Sequence, residues 1–403
     1  MQVVYAREPF PDRVVRSMFL AGPTPRQAGG PSWRPEALQI LSKLGYEDTV
    51  FVPEPRTGSF SEEDSYLEQV EWELAGLARA DAIVFWVPRD LDTLPGFTTN
   101  VELGYWVASG RVIFGAPERA SKVRYLEVLC ERNGVPRHLT LAGTLDAAIA
   151  SMQLGAPRLE GECSVPAMVF HWEPFQAWYG ALRRAGNVLL RGNVEWVRRA
   201  GPSKSLFMVA LHAVVRVTAE DRVKKNELVL MRPDIAATVL FSRGPSLEAT
   251  EVVLVREFRT AGTSADGYVR EPPGGSSFEA STMRRTATQE LEEEAGIRIE
   301  PREADAKAAS GPGPALSLHP DRVHELGHRS IAATLLSHHG ALFSVELTTE
   351  EMSVVRKSAG KRFGADDGER TTVEIFEVGE LLRNPLTDWS SLGMIFAALC
   401  RKG

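Results

Sequence analysis

The stretch ADAIVFWVPRDLDTLPGFTTNVELGYWVASGRVIFGAP, residues 80–117, decides the first fold. Residues 81–88 are the most strand-like run in the chain, and RVIFGAP (111–117) is a second strand. Between them a Gly/Pro loop leads into a helix over about 98–109, which Thr98, Thr99 or Asn100 can cap. Working outward toward the N-terminus, SMFLAGP (17–23) and TVFVPEP (49–55) repeat the apolar-run-then-turn pattern. They are separated by a helix near 34–44, with Ala37, Leu38 and Leu41 on one face. An amphipathic helix over 62–79 follows, carrying Leu67, Val70, Leu74 and Leu77. Continuously apolar strands alternating with helices predict an α/β domain, a parallel sheet with helices on both faces. Such sheets place ligands beyond the carboxyl ends of their strands. The loops 22–34, 53–61, 88–98 and 116–121 should converge there. Glu102, one turn into its helix, is expected to be favoured as an anion by the helix dipole.

The chain has 403 residues, 43% hydrophobic and 25% charged, which leaves room for two or three domains at about 150 residues each. A net charge of −7 offers no basic footprint for a phosphate backbone, so nucleic acid is not an expected partner. No apolar run reaches the ~20 residues needed to cross a bilayer. MQVVYAREPFPDR at the N-terminus lacks the charged-then-apolar pattern of a secretory signal. Cys130, Cys163 and Cys400 are too few and too scattered for a disulfide framework or a thiolate metal site. A cytoplasmic protein with no membrane partner is expected. The predicted division is a domain over 1–155, a linker or docking segment over 156–204 and a second domain over 205–403. In the last, β-branched runs such as FMVALHAVVRVT and EVVLVREFRT surround one long helix, an α+β pattern. PREADAKAASGPGPALSLHP (301–320) is Ala/Gly/Pro-rich and reads as a mobile insertion. The eight histidines show no metal-ligand spacing.

That long helix carries the second site. In EPPGGSSFEASTMRRTATQELEEEAGI (271–297), Gly274 and Gly275 form a loop that lets the backbone approach a ligand. Met283, Ala287, Leu291 and Ala295 make an apolar stripe, with Glu290 and Glu294 beside it and Glu293 a step further round. Carboxylates this close repel one another unless a cation neutralises them. Oxygen ligands beside a glycine loop suit Mg²⁺, with Mn²⁺ as a substitute. Gly296 stops the helix. The tract resembles the signature of Nudix hydrolases, G-x5-E-x7-R-E-U-x-E-E-x-G-U, with Gly275, Glu290, Leu291, Glu293, Glu294, Gly296 and Ile297 in register. The resemblance implies a Nudix fold, metal ligation by Glu290, Glu293 and Glu294, and a catalytic part for Glu294. Ser281 stands where the family has Glu, with Glu279 two residues away, and Gln289 stands where it has Arg. These departures imply slow hydrolysis or nucleotide binding alone. The preceding VVLVREFRTAGTSADGYVREPPGG is similar to the branch acting on ADP-ribose and sugar-nucleotide diphosphates. In that branch a late acidic loop supplies the base, and here GADDGERTTVEIFEV (364–378) offers Asp366, Asp367 and Glu369.

FLAGPTPR (19–26), SWR (32–34), QVEWELAGLARAD (69–81), FWVPRD and TTNVELG together resemble the nucleoside 2-deoxyribosyltransferase-like family, on a flavodoxin/Rossmann-like sheet. In that family a glutamate in an E-x-G context attacks the anomeric carbon of a nucleoside or nucleotide, and here the motif is Glu102-Leu103-Gly104. The family's Asn-Asp pair becomes Trp72-Glu73, so Glu73 takes the place of the acid. The family's aspartate six residues before the nucleophile is Gly96. Gly22, Pro23, Thr24 and Arg26 would meet a phosphate, with Trp33 and Asn100 as further substrate contacts. Trp72, Trp86, Phe97 and Trp106 are further stacking candidates. The two resemblances together imply a bifunctional enzyme on a small-molecule nucleotide or nucleoside. One half would hydrolyse a diphosphate linkage with Mg²⁺ and the other would cleave or transfer an N-glycosidic bond. The alternatives are a Nudix hydrolase with a non-catalytic binding or dimerisation N-domain, and a catalytically weak nucleotide sensor. Both families commonly form homo-oligomers, so an oligomer is expected.

Overall fold

Along Ser17–Ala21 successive side chains alternate, Phe19 and Ala21 turning into one core and Met18 and Leu20 into another. Both sets are buried because helices cover both faces of the sheet. A computed structural model of the chain describes residues 1–25, 31–57, 66–201, 205–276, 281–300, 316–364 and 370–401. Arg26, Glu279, Asp366, Asp367, Glu369 and most of the 301–320 segment lie outside the described residues. The chain divides into two compact units, Met1–Met231 and Arg232–Gly403.

The first unit is built on six parallel strands. Their spatial order is Gln2–Tyr5, Thr49–Val52, Ser17–Ala21, Ala82–Trp86, Val112–Gly115 and Arg137–His138. Helices α1 (Arg34–Lys43) and α5 (Leu141–Met152) pack on the Met18 side. Helices α2 (Tyr66–Arg79), α3 (Phe97–Trp106) and α4 (Arg124–Arg132) pack on the Phe19 side. The α/β sheet expected from the sequence is therefore present. From Ser17–Ala21 the chain crosses to Thr49–Val52 on one side, then returns to Ala82–Trp86 on the other. The loops after Ala21 and after Trp86 thus flank a topological switch point, where open α/β sheets bind ligands.

Residues 156–231 differ from the sequence reading. The segment expected to be a linker or docking segment carries Arg158, fully buried, whose guanidinium holds Asp81 through two bonds of 2.8 and 2.6 Å. Asp81 also accepts from the amides of Ser17 (2.8 Å) and Ala167 (2.6 Å). A buried charge is tolerated only with partners of this kind. Strand Ser205–Val217, expected to open the second domain, pairs with Val188–Ala200 and Arg222–Met231 in a three-stranded antiparallel sheet. Val209, Leu211, Ala213 and Val215 close that sheet onto Phe175 and Tyr179 of the helix Glu173–Arg184. Shared burial draws the boundary past Met231 rather than at 205.

The second unit has a mixed sheet in which Ile235–Ser242 lies between a parallel neighbour, His339–Glu346, and an antiparallel one, Glu251–Phe258. Helix Met283–Ala295 buries Ala287, Leu291 and Ala295 against Leu240, Val253 and Phe343. Ile395, Ala398 and Leu399 of helix Trp389–Leu399 cover Val239, Phe241 and Val252 on the other face. Among the described residues no helix is long and apolar enough to cross a membrane.

Candidate functional site

The switch-point crevice of the first unit is shaped by a close approach of backbone. Gly22 has φ +137°, and a Cβ there would lie 2.2 Å from the Trp86 carbonyl oxygen. Only glycine lets the two flanking loops meet this closely. Arg34, at the start of α1 and 1% exposed, ties the loop in place. Its guanidinium donates to the carbonyls of Leu20 (3.0 Å) and Gly22 (2.8 Å), to Thr24 Oγ1 (3.1 Å) and to the Glu54 carboxylate (2.5 Å). No local sequence pattern marks Arg34 for this role, since its acceptors come from separate stretches of the chain.

Glu73 on α2 and Glu102 on α3 are half-buried and feel each other's charge. Burial, and then the Glu73 charge, push the Glu102 carboxyl up to about 7, while the Arg34 guanidinium pulls it down. Burial also raises Glu73, against a side-chain hydrogen bond from Gln69 and the charge of Arg34. Two carboxyls in one poorly solvated site cannot both ionise easily, and a proton held by one eases ionisation of the other. Such a pair can act as nucleophile and acid. The structure thus brings together the two residues that the sequence singled out, and adds Gln69 and Arg34 to them.

The other candidates of this unit fall in different surroundings. Gly22, Pro23 and Thr24 form the loop that Arg34 holds. Trp33 is 7% exposed and its indole N–H donates to the Pro23 carbonyl at 3.1 Å, so it braces the loop from within the core. Trp72, Trp86 and Trp106 are buried as well, whereas Phe97 is 70% exposed. Asn100 accepts from the Arg89 guanidinium, which also donates to the carbonyls of Lys122 and Gly96. Gly96 caps α3 with φ +60°, a backbone that disfavours most side chains.

In the second unit, Gly275 is pressed against Glu290, where a Cβ would sit 2.3 Å from a carboxylate oxygen. The Gly274 amide donates to Glu294 at 2.8 Å. Thr282 caps the helix by accepting from the Arg285 amide, and Gly296 ends it at φ +66°. Glu294 is 4% exposed. Burial drives its carboxyl up to about 9, the Gly274 N–H pulls it down, and the charges of Glu290, Glu271 and Glu257 add to the rise. Arg259 answers part of that charge, meeting Glu257 and Glu271 each at 2.8 Å. Glu257, Glu271 and Arg259 were missed by the sequence reading, because they come from strands and loops before the helix. Glu293 turns aside, accepting from Gln289 at 2.8 Å. Among the described residues no three His, Cys, Asp or Glu side chains form a ready-made metal site.

Comparison with known proteins bears on the first unit. Residues 15–120 match the family model described as nucleoside 2-deoxyribosyltransferase like. That stretch is similar to a domain of this class, and Glu73, Glu102, Gln69 and Arg34 all lie inside the matched residues. A solved structure titled as that of an ADP compounds hydrolase aligns at 13% identity. It covers 52% of this chain and 93% of the other with a TM-score of 0.30, too slight a likeness to bear on function. No curated protein matches the chain.

Proposed function

We propose that the first unit breaks or transfers an N-glycosidic bond of a nucleoside or nucleotide, with Glu102 as nucleophile and Glu73 as acid. The observation that carries this reading is the pair itself, a carboxyl pushed to about 7 by burial and by the charge of a second carboxyl, within residues 15–120. The ionised Glu102 attacks C1′ as the C1′–N bond breaks, giving a glycosyl ester. Glu73 gives its proton to the departing base. Water, losing a proton to Glu73, then opens the ester and frees the sugar, or a second base does so and receives it.

We further propose that the second unit hydrolyses a nucleoside diphosphate linkage on a Nudix fold, which makes the chain bifunctional. The crowded oxygen donors of Glu290 and Glu294 beside the Gly274–Gly275 loop fit Mg²⁺, or Mn²⁺ in its place, better than any soft metal. These two residues would hold the cation, which when bound would neutralise phosphate charge developing during water attack. The Gly274 amide keeps Glu294 aimed into the loop, and Asp367 and Glu369 are the candidates for the base. A binding role with little turnover is the second reading for this unit, favoured by Glu293 turning to Gln289.

The test is an incubation series analysed by chromatography. Wild type, Glu102→Ala and Glu294→Gln would each meet nucleosides, nucleoside mono-, di- and triphosphates, ADP-ribose and NAD, with and without Mg²⁺. Free base that disappears only in Glu102→Ala supports the glycosidic reading. Phosphate products that need Mg²⁺ and disappear only in Glu294→Gln support the hydrolase reading. Base release that survives in Glu102→Ala, or no product in any mixture, defeats the corresponding proposal.

A further inference from the structure

We infer that Gln69 is a positioning residue that decides which carboxyl of the Glu73–Glu102 pair is ionised in the ligand-free protein. Gln69 and Glu73 stand one turn apart on the inner face of α2, and Gln69 is only 8% exposed. The amide Nε2 of Gln69 donates to Glu73 Oε1 at 2.5 Å, while its own Oε1 is buried with no partner among the described residues. A carboxylate can only accept, so an ionised Glu73 locks the amide with its N–H inward. Among the described residues the other charges that act on the pair are Arg34 from α1, which acts on both Glu73 and Glu102, and each carboxyl's own partner. Glu102 has no hydrogen-bond donor among the described residues. The donated bond is therefore what separates the two acids, placing the negative charge on Glu73 and the shared proton on Glu102.

For its use in turnover the inference rests on the glycosidic reading. Before Glu102 can attack, its O–H bond must break and the proton must pass to Glu73. Glu73 then becomes the acid that protonates the leaving base. The unpartnered Oε1 of Gln69 has a place in this sequence. Turned over, the amide presents that oxygen to accept the new Glu73 O–H, so one side chain holds Glu73 in both protonation states.

The test is a pH titration of the whole chain with ¹³C-labelled glutamate, read by carboxyl chemical shift. Glu73→Gln and Glu102→Gln assign the two signals. In wild type Glu73 should ionise at lower pH than Glu102. In Gln69→Met the Glu73 midpoint should rise by about one pH unit and the Glu102 midpoint should fall. Midpoints within about 0.2 units of wild type in a folded Gln69→Met protein would overturn the inference. If that variant does not fold, the wild-type Gln69 side-chain amide signal decides. It should shift with the Glu73 midpoint and lose that dependence in Glu73→Gln, and a signal flat across pH overturns the inference. In turnover, Gln69→Met should move the acidic limb of base release upward by a similar amount, with KM within about twofold. Absence of base release from wild type would defeat the glycosidic reading while leaving the titration result standing.

Discussion

The two units each crowd acidic side chains into poorly solvated ground, and they differ in what relieves the charge. In the first, two glutamates share the influence of one buried guanidinium, Arg34, and the conflict falls on Glu102, whose carboxyl sits near 7. One proton settles that account and leaves the pair chemically asymmetric. In the second, the charges of Glu290, Glu271 and Glu257 add to burial at Glu294 and drive it up to about 9, while Arg259 meets Glu257 and Glu271. A proton relieves only one member of such a group, whereas a divalent cation relieves several at once. On the functions proposed above, the contrast is between a site suited to proton transfer and one suited to a cation, although both are built from glutamates on helices beside a glycine loop.

Substitutions can break or sharpen this comparison. The largest expected effect is on activity: Glu102→Ala should lower base release by about a thousandfold or more, measured by chromatography, since it removes the attacking atom itself. Base release in that variant should stay low with or without Mg²⁺. Next comes Arg158→Met, which strands Asp81 in the interior of the first unit. It should destabilise that unit by about 3–5 kcal/mol in urea denaturation, with no direct effect on Mg²⁺ binding by the second.

A smaller effect concerns stability and pH. The Glu102 carboxyl is raised from 4.5 to about 7 in the fold, so its contribution is fully present below pH 4.5. It is lost as pH rises toward 7, where the buried group must ionise. Glu102→Gln should therefore leave stability unchanged near pH 4 and gain roughly 2–3 kcal/mol at pH 8, by denaturation at the two pH values. A gain equal at both pH values would mean that the carboxyl is not perturbed. The smallest effect separates members of the acidic helix. Glu290→Gln should weaken Mg²⁺ binding by about tenfold or more, and Glu293→Gln by no more than about threefold, by calorimetry. Equal losses would place Glu293 among the ligands.

Glu102 was legible in the sequence because the strand, glycine turn and helix that present it lie within one continuous stretch. Gly275 and Glu290 were legible for the same reason. Arg34 and Asp81 were not, since their partners, Gly22 and Glu54 for one and Arg158 for the other, are set by folding across the sheet. Gln69 left a readable sign in its spacing of four from Glu73, but a helix surface holds many such pairs. Where the segment after residue 155 docks was not legible, because its aromatic helix and long strands bury one another through contacts between distant stretches of chain.

Mass spectrometry of the whole chain during turnover tests most directly whether Glu102 is the nucleophile proposed for the first unit. Wild-type protein would be quenched in acid while turning over the nucleoside or nucleotide that yields free base, then digested. A glycosyl group should be found on the peptide that contains Glu102, and none should form in Glu102→Ala. Base released at full rate with no adduct on that peptide, or an adduct on a different residue, would contradict it.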